Sequence, residues 1–567
     1  MGLTSALGVG RTALAAYQAA LQVAGQNIAN VATPGYTRTR ADLSAIPGAG
    51  LSVGQLGRGV QITSIRRSIS ETLQSRLRTA ISDKESAGTE RNSLNRIESL
   101  FDPLGDRNLG SLLSEFFASL GDLQNNPDNI ATRGIVISTA SSLTQRIGDI
   151  RGDLIGLRDE INREIETITL RADQITTQIA ELNGEITLAE SGSAGPAAAL
   201  RDQRDQLLSE LSEYFAISVR EQPGGAVNVY IGNESVVQFG TSFGLKTTQE
   251  LDTNGLTISV VRFQLNDGPV TAKGGLVEGL ITSRDVHNFS RFAELDSLSG
   301  ALIHEINKVH SGGRGLEDFS DLTGLTEVLD SSLALNTPDN GIPFLPQTGS
   351  FFIDVKDSSG TVVRTQVNID LDGIGADTTL DSLAADITAN VPNLTATVTA
   401  NGKLQLTADN GFTFAFADDT SGVLASLGLN TFFAGKDSLD IEVNPLLVNN
   451  SALLAAAQSD FAGDGSNATA LVAVQDSAIA SLSGASLNEF YNSAMANIAV
   501  SSSAATSATE AAEIIFESLT VQRESISGVN LDEEAVALIS FQRAYEGAAR
   551  YMRVVDEMLQ TLLTLVR

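Results

Sequence analysis

The sequence predicts a multidomain α+β protein in which long α-helical coiled-coil or bundle domains are built from both chain termini and β-rich segments are inserted in the middle. Three observations carry this reading. Apolar residues recur at alternating intervals of three and four at both extreme ends of the 567-residue chain. An internal run from Leu143 to Ile186 holds the same spacing for over forty residues. From Ile217, and again across about 340 to 435, the apolar period drops to two, the period of a strand.

The terminal rows are Leu3, Leu7, Gly10, Leu14, Tyr17, Leu21, Ala24, Ile28 and Val31 at one end, and Leu538, Phe541, Tyr545, Ala548, Met552, Val555, Leu559, Leu562 and Val566 at the other. Rows of this kind let helices pack lengthwise on other helices. Chain ends are ordinarily frayed and polar. A helix docked on its own domain explains one such row; the matched pair favours two ends that pair with each other and with neighbouring molecules. Residues 3 to 31 read as one nearly uncharged helix whose other faces carry Ala, Gln, Thr, Ser and Gly. One buried apolar face is small against the entropy of ordering so long a segment. We therefore expect it to be poorly ordered in the free monomer and to order on assembly. It should stop at Asn30 to Tyr36, because Pro34 disfavours helix at Thr33 and Pro34-Gly35 suits the centre of a type II turn.

Further along, Val60, Ile62 and Ile65 mark a short strand within Leu56 to Arg67. Helical spacing resumes at Ile69 and continues through Leu100, then from Leu112 to Leu123 before Asn125-Asn126-Pro127. The long run from Leu143 breaks at Gly192, Gly195 and Pro196, and another helix spans Ala197 to Tyr214. Together these predict a rod-like helical bundle. Ile217 and Val219 face Val227, Val229 and Ile231 across Pro223-Gly224-Gly225 as a hairpin; Leu256 to Leu265 adds a strand, and Asp285 to His310 returns to helix. In the block from about 340, Phe351–Val355 and Val362–Leu371 flank Asp357 to Gly360. Asn401-Gly402 separates two alternating runs, and Asn410-Gly411 precedes Phe412, Phe414 and Phe416. Asn-Gly between alternating runs is a hairpin signal. After Gly463 the helical pattern returns to the end, with Tyr491, Ile498, Ala505, Ala512, Leu519 and Ile526 spaced by seven. The resulting division is nested. Residues 1–65 with 527–567 form a terminal helical coiled-coil domain with a short β segment. Residues 66–317 with 441–526 form a helical bundle with a small β portion, and 318–440 form an inserted β-rich outer domain.

Composition narrows function by exclusion. A net charge of -31 argues against nucleic acid and against an anionic membrane surface. No run of about 18 apolar residues exists to span a bilayer. The absence of cysteine removes disulfides, thiolate catalysis and cysteine-based zinc sites. Before Arg38 the only charge is Arg11, and the apolar residues are spaced, so the N-terminus is not a cleavable secretory signal. His304 and His310, with Glu305 between them, resemble a zinc-protease helix. They are six apart, about 240° around a helix, and so cannot hold one metal from one face. Gly57-Arg58-Gly59 and Gly274-Gly275 lack the spacing and the lysine of a phosphate loop. Asp532, Glu533 and Glu534 stand where a helix begins, as its dipole favours. No catalytic, metal-binding or cofactor-binding residue emerges, and the chain does not read as an enzyme.

Several segments resemble the bacterial flagellar axial proteins of rod, hook and hook-associated type. Asn27-Ile28-Ala29-Asn30-Val31-Ala32-Thr33-Pro34-Gly35-Tyr36 is similar to their N-terminal signature, and Gly59-Val60 with Ile65-Arg66-Arg67 to the segment after it. Within that group the chain resembles the hook-associated protein 1 family. Three stretches carry this: Gly274 to Leu280 with Arg284-Asp285; Asn307 to His310; and Ser525 to Glu534, including Ser527-Gly528-Val529-Asn530, with Phe541 to Tyr545. The resemblance implies a structural, extracellular component of the flagellum at the hook–filament junction, exported by the flagellar type III apparatus. Its implied partners are itself in a ring, the hook protein, the second junction protein and a dedicated export chaperone. The runner-up within the class is a hook or rod protein, against which the long run from Leu143 argues. From other classes, residues 318 to 440 would make an adhesin or an enzyme domain, and that block has neither His nor Cys.

Overall fold

The computed structural model describes residues 3–47, 57–101, 105, 107–191, 197–252 and 255–565. Its helices are α1 (Leu3–Ala29), α2 (Glu71–Phe101), α3 (Leu109–Asn125), α4 (Ile130–Ser191), α5 (Ala198–Tyr214), α6 (Gly275–Thr282), α7 (Phe289–His310) and α8 (Leu380–Asn390). Two short helices follow, α9 (Val423–Ser426) and α10 (Pro445–Asn449), and then α11 (Ser466–Ala473), α12 (Leu487–Ser527) and α13 (Leu531–Leu565). The long terminal helices with β-sheets in the middle are the α+β arrangement that the spacing predicts. Leu56 and the breakers Gly192, Gly195 and Pro196 lie outside the described residues.

The strands are β1 (Thr39–Ala45), β2 (Val60–Arg67), β3 (Ile217–Glu221), β4 (Val227–Ile231), β5 (Glu234–Gln238), β6 (Thr241–Ser242), β7 (Leu245–Leu251), β8 (Thr257–Phe263), β9 (Asp321–Thr323), β10 (Gly349–Asp357), β11 (Val362–Ile369), β12 (Leu394–Val398), β13 (Leu404–Ala408), β14 (Phe412–Ala417), β15 (Phe433–Ala434) and β16 (Glu442–Val443). Every pairing among them is antiparallel.

The chain divides into two compact units. One comprises Met1–Ser93, Asp159–Arg284 and Ser503–Arg567; the other comprises Leu94–Arg158 and Asp285–Ser502. In the first, α1 packs on α13 and against the β1–β2 hairpin, whose register runs from Thr39 opposite Arg67 to Ala45 opposite Val60 with a bulge at Asp42/Leu43. Leu73, Leu77 and Ala80 of α2 bury against Leu519 of α12, and Lys84 Nζ sits 5.0 Å over the Phe516 ring. In the same unit Asn183 of α4 fastens the β3-β4-β5-β6 sheet: Nδ2 donates to Val227 O at 2.8 Å and Oδ1 accepts from Val227 N at 3.0 Å. Gly275 begins α6 at φ +80°, where a Cβ would lie 2.4 Å from the Tyr214 carbonyl, so only glycine fits there.

In the second unit, β11-β10-β14 and β12-β13-β9 form two three-stranded sheets with α8 packed on β12. Their shared core includes Leu322, Phe351, Leu380, Leu383, Ile387, Leu404, Leu406, Phe414 and Phe416. Helix α8 did not show in the apolar period. It is fixed by a capping box in which Thr379 and Ser382 satisfy each other's backbone N–H. The two Asn-Gly turns differ in outcome. Asn401-Gly402 closes the β12–β13 hairpin, whereas the strand after Asn410-Gly411 pairs with β10. The turn residues fix local backbone only. Phe414 and Phe416 find their partners in Val355 and Ile353. Helix also begins later than Asp285, because Ser283–Asn288 is a π-helical turn ahead of α7. After α11, 3-10 turns at Val474–Asp476 and Ala480–Leu482 interrupt the return to helix before α12. Among the described residues no single helix is long and apolar enough to cross a membrane.

Candidate functional site: the paired chain termini

The terminal helices run antiparallel. Gly10 lies against Met552 and Tyr551, and Asn27 meets Glu534. The buried row of α1 is small: Ala16, Ala20, Val23 and Ala24, ending in Asn27. The large residues Leu7, Leu14, Tyr17, Leu21 and Ile28 are half-buried on a face displaced by about 100°, one residue of helix. Val31 lies beyond the helix and is exposed, and of Leu3 only the backbone is described. On α13, Val555 is buried; Leu538, Phe541, Tyr545, Ala548, Met552 and Leu559 are half-buried; Leu562 is exposed; and Val566 lies outside the described residues. A further apolar row of α13 faces solvent: Tyr551, Val554, Met558 and Leu562.

The signature residues converge on one end of this helix pair. Asn27 Nδ2 donates to Glu534 Oε2 at 3.0 Å and to Thr39 O at 2.9 Å. Its Oδ1 accepts from Tyr36 Oη at 2.9 Å, Thr39 N at 3.0 Å and Thr39 Oγ1 at 3.2 Å. Arg38 Nε donates to the other Glu534 oxygen at 2.7 Å, its NH1 pairs with Glu533 at 2.8 Å, and its backbone N–H donates to Ser527 O at 2.9 Å. Burial raises the Tyr36 hydroxyl pKa, and the nearby Asp202 and Glu534 charges add to this against the Thr39 hydrogen bond.

Each signature position has a local reason. Thr33 to Tyr36 closes a turn, with Tyr36 N donating to Thr33 O at 3.2 Å, and Gly35 takes φ +75° where a Cβ would strike Gln206. Asn30 Nδ2 binds Gln26 O at 2.9 Å and Thr33 Oγ1 binds Asn30 Oδ1 at 3.1 Å; Ile28 is half-buried, and Ala29 and Pro34 are exposed. Gln206 Nε2 of α5 holds Pro34 O at 2.7 Å. At the other end, Gly528 N donates to Glu524 O at 2.8 Å to end α12, Val529 links onward, and Asn530 Oδ1 accepts from Asp532 N at 3.0 Å to begin α13. The two signature segments thus line one cleft of about 750 Å³ with Asp205, Gln206 and Glu213 of α5.

His304 and His310 serve packing. His310 is the buried last residue of α7; Nδ1–H donates to Asn430 O at 2.8 Å and Nε2 accepts from Ala455 N at 2.9 Å. Burial, with Arg133 nearby, lowers its pKa to about 4 against the Asn430 hydrogen bond. His304 stacks on Phe344 at 4.8 Å. Among the described residues, Asp370, Asp372 and Asp377 bring carboxylate oxygens within 4.8 Å of one another on the surface. Two of them already accept loop N–H groups, from Ile374 and Gly373.

Sequence reasoning placed Glu533 and Glu534 at a helix start by dipole alone and did not single out Arg38 or Thr39. The available signal was the first charge after a nearly uncharged helix, matched by three consecutive carboxylates at the head of the last one.

The comparisons with known proteins follow the same geography. Residues 94–323 match the family model described as flagellar hook-associated protein FlgK helical domain. Residues 7–37 match flagella basal body rod protein, and 522–565 match flagellar basal body rod FlgEFG protein C-terminal. Flagellar hook-associated protein 1 of Escherichia coli K12 is 27% identical across 99% of this chain and 100% of its own length. The chain is thus similar to flagellar hook-associated protein 1 over its full length. The Salmonella typhimurium LT2 and Bacillus subtilis 168 hook-associated proteins 1 are 26% and 25% identical, each over 99% of this chain and over 100% and 97% of their own lengths. The solved flagellar hook junction protein of Burkholderia pseudomallei shares the fold, with a TM-score of 0.51 at 15% identity over 80% of this chain and 100% of that one. These likenesses support a structural role for the chain in the flagellum.

Proposed function

We propose that this chain forms the junction between flagellar hook and filament, polymerising into a ring through its paired terminal helices. One observation carries the reading: α1 and α13 pack on each other and still leave large apolar residues uncovered on both helices. Tyr551, Val554, Met558 and Leu562 are exposed on α13, and Leu7, Leu14, Tyr17 and Leu21 are half-exposed on α1. Second copies cover these faces, and order at the tips of both helices completes on assembly. The nested division at 1–65 with 527–567, 66–317 with 441–526, and 318–440 supplies a terminal helical domain for assembly, a helical bundle and an inserted β-rich domain. The hook protein lies below the ring and the second junction protein above it. The chain reaches its site through the flagellar type III apparatus, escorted by a dedicated chaperone on its C-terminal region. No catalytic step is assigned to it.

Electron microscopy of cells lacking the gene, with an assay of flagellin in the medium, tests this. Bare hooks with free flagellin are expected. Missing hooks move the chain to the hook or rod, and normal filaments overturn the axial reading and turn attention to 318–440 as an adhesin.

A further inference from the structure

The buried row of α1 is smooth. Apart from Val23 it consists of Gly10, Ala16, Ala20 and Ala24, and apolar contact is non-directional, so this surface alone distinguishes poorly between registers one turn apart. Asn27 is different. Among the described residues of α1, it is the side chain that hydrogen-bonds another helix; the bonds from Thr12 and Asn30 stay within their own turns. It is 1% exposed, and both its donors and its acceptor are occupied. Its partners come from three directions: Glu534 from α13, Thr39 from β1 and Tyr36 from the turn. Thr39 is in turn fixed opposite Arg67 by the hairpin. Sliding α1 by one turn would strip the amide and the Glu534 carboxylate of partners inside a buried site.

We infer that Asn27 is the register key of the terminal helix pair, a positioning residue that sets the axial alignment of α1 on α13. A lone buried asparagine fixes register in the same way where two helices otherwise meet through apolar rows. The inference rests on the reading that these helices build the polymer, because register determines how their free apolar faces line up for a second copy. It adds to that reading a specific role for one side chain, and it places the determinant at the end of the pair where Asn27, Arg38 and Glu534 form a hydrogen-bonded hub.

A chain without cysteine makes the test clean. Gly10→Cys with Met552→Cys reports the observed register, and Gly10→Cys with Ala548→Cys reports a slide of one turn. In the otherwise unaltered monomer the first pair should form disulfide in preference to the second by roughly tenfold or more, the discrimination one unmade buried hydrogen bond supplies. The ratio reports register even where fraying lowers both yields. Adding Asn27→Leu should bring the two pairs to similar yield. An unchanged ratio overturns the inference. Should Asn27→Leu lose helix content, Glu534→Leu removes the same bond from the other side and must relax the ratio likewise; selectivity retained there also overturns the inference. Assembly is scored separately on the cysteine-free variants. Relaxed register with unimpaired assembly overturns the terminal-helix reading and leaves the role of Asn27 standing. Unrelaxed register with lost assembly does the reverse.

Discussion

Arg38 Nε donates to Glu534 Oε1 at 2.7 Å, joining the first charged residue after α1 to the first turn of α13 across most of the chain length. The Glu534 side chain is 5% exposed, so this carboxylate relies on Arg38 for neutralisation and on Asn27 for its second oxygen. Removing one partner of such a pair costs roughly 3 kcal/mol, while removing both costs far less. Arg38→Ala should therefore sharply lower hydrogen-exchange protection at the start of α13, and Arg38→Met with Glu534→Leu should restore part of it, the Asn27 amide being left one partner short. Equal losses in the single and double variants would show that the pair is not what holds α13.

Much of this was legible in one dimension, and the reason lies in period. The row from Leu143 to Ile186 is almost uniformly buried in α4, because a 62-residue helix must hide one stripe along its whole length. The terminal helices were legible for the same reason. Which positions of α1 are most deeply buried was not: the eye follows Leu14, Tyr17 and Leu21, which are half-buried, whereas Ala16 and Ala20, one residue earlier, are fully buried. The Asn27 hub was recognisable only as a motif, since a network joining residues 507 positions apart leaves no local pattern. β1 escaped because Thr39-Arg40-Ala41-Asp42 pairs along a mixed, partly exposed edge with no clean alternation.

His310 gives a pH-dependent prediction. The fold holds it neutral, with a pKa lowered to about 4, while the unfolded imidazole titrates near 6.5. Its contribution is present above about pH 6.5 and is lost as pH falls from there through 4, amounting at most to roughly 3 kcal/mol. Denaturant midpoints should fall more steeply between pH 7 and 4.5 for the parent chain than for His310→Gln, which does not titrate. Parallel slopes would remove His310 from the acid response.

The β-rich core should depend on its phenylalanines. Phe414 is fully buried, 5.7 Å from the Phe416 ring and 5.9 Å from Phe319. Phe414→Ala should cost about 3–5 kcal/mol in denaturant unfolding of this unit. Val363→Ala, on an exposed stretch of β11, should stay within about 0.5 kcal/mol. Comparable losses at both positions would mean that the core is not organised around Phe414.

The free faces of α13 separate stability from assembly. Val554 and Met558 are 53% and 54% exposed. Val554→Glu with Met558→Glu should leave the thermal transition of the monomer within error and abolish incorporation into flagella. Leu559→Asp, on the half-buried row, should likewise block incorporation while the core transition persists. Normal filaments from either variant would remove the terminal helices from the polymer contact.

The expectation of poor order in the free ends takes a graded form once the hub is in view. α1 and α13 each have one end tied by Asn27, Arg38 and Glu534, whereas their far ends meet through Gly10, Met552 and residues largely open to water. Local opening has a low free-energy cost where buried contacts are few and rises toward a closed hydrogen-bonded cluster. Brief proteolysis of a verified monomer should therefore start in the first turns of α1 and the last turns of α13 and progress toward the hub. Loss of about the first 30 to 60 and last 30 to 40 residues should be the limit, with a stable core remaining. Asn27→Leu should bring that limit on sooner, because it removes the obstacle on which the progression stalls. Assembled flagella should resist throughout. Ends that are equally resistant in the monomer would mean that the helix pair is stable without neighbours, and that assembly adds contacts without adding order.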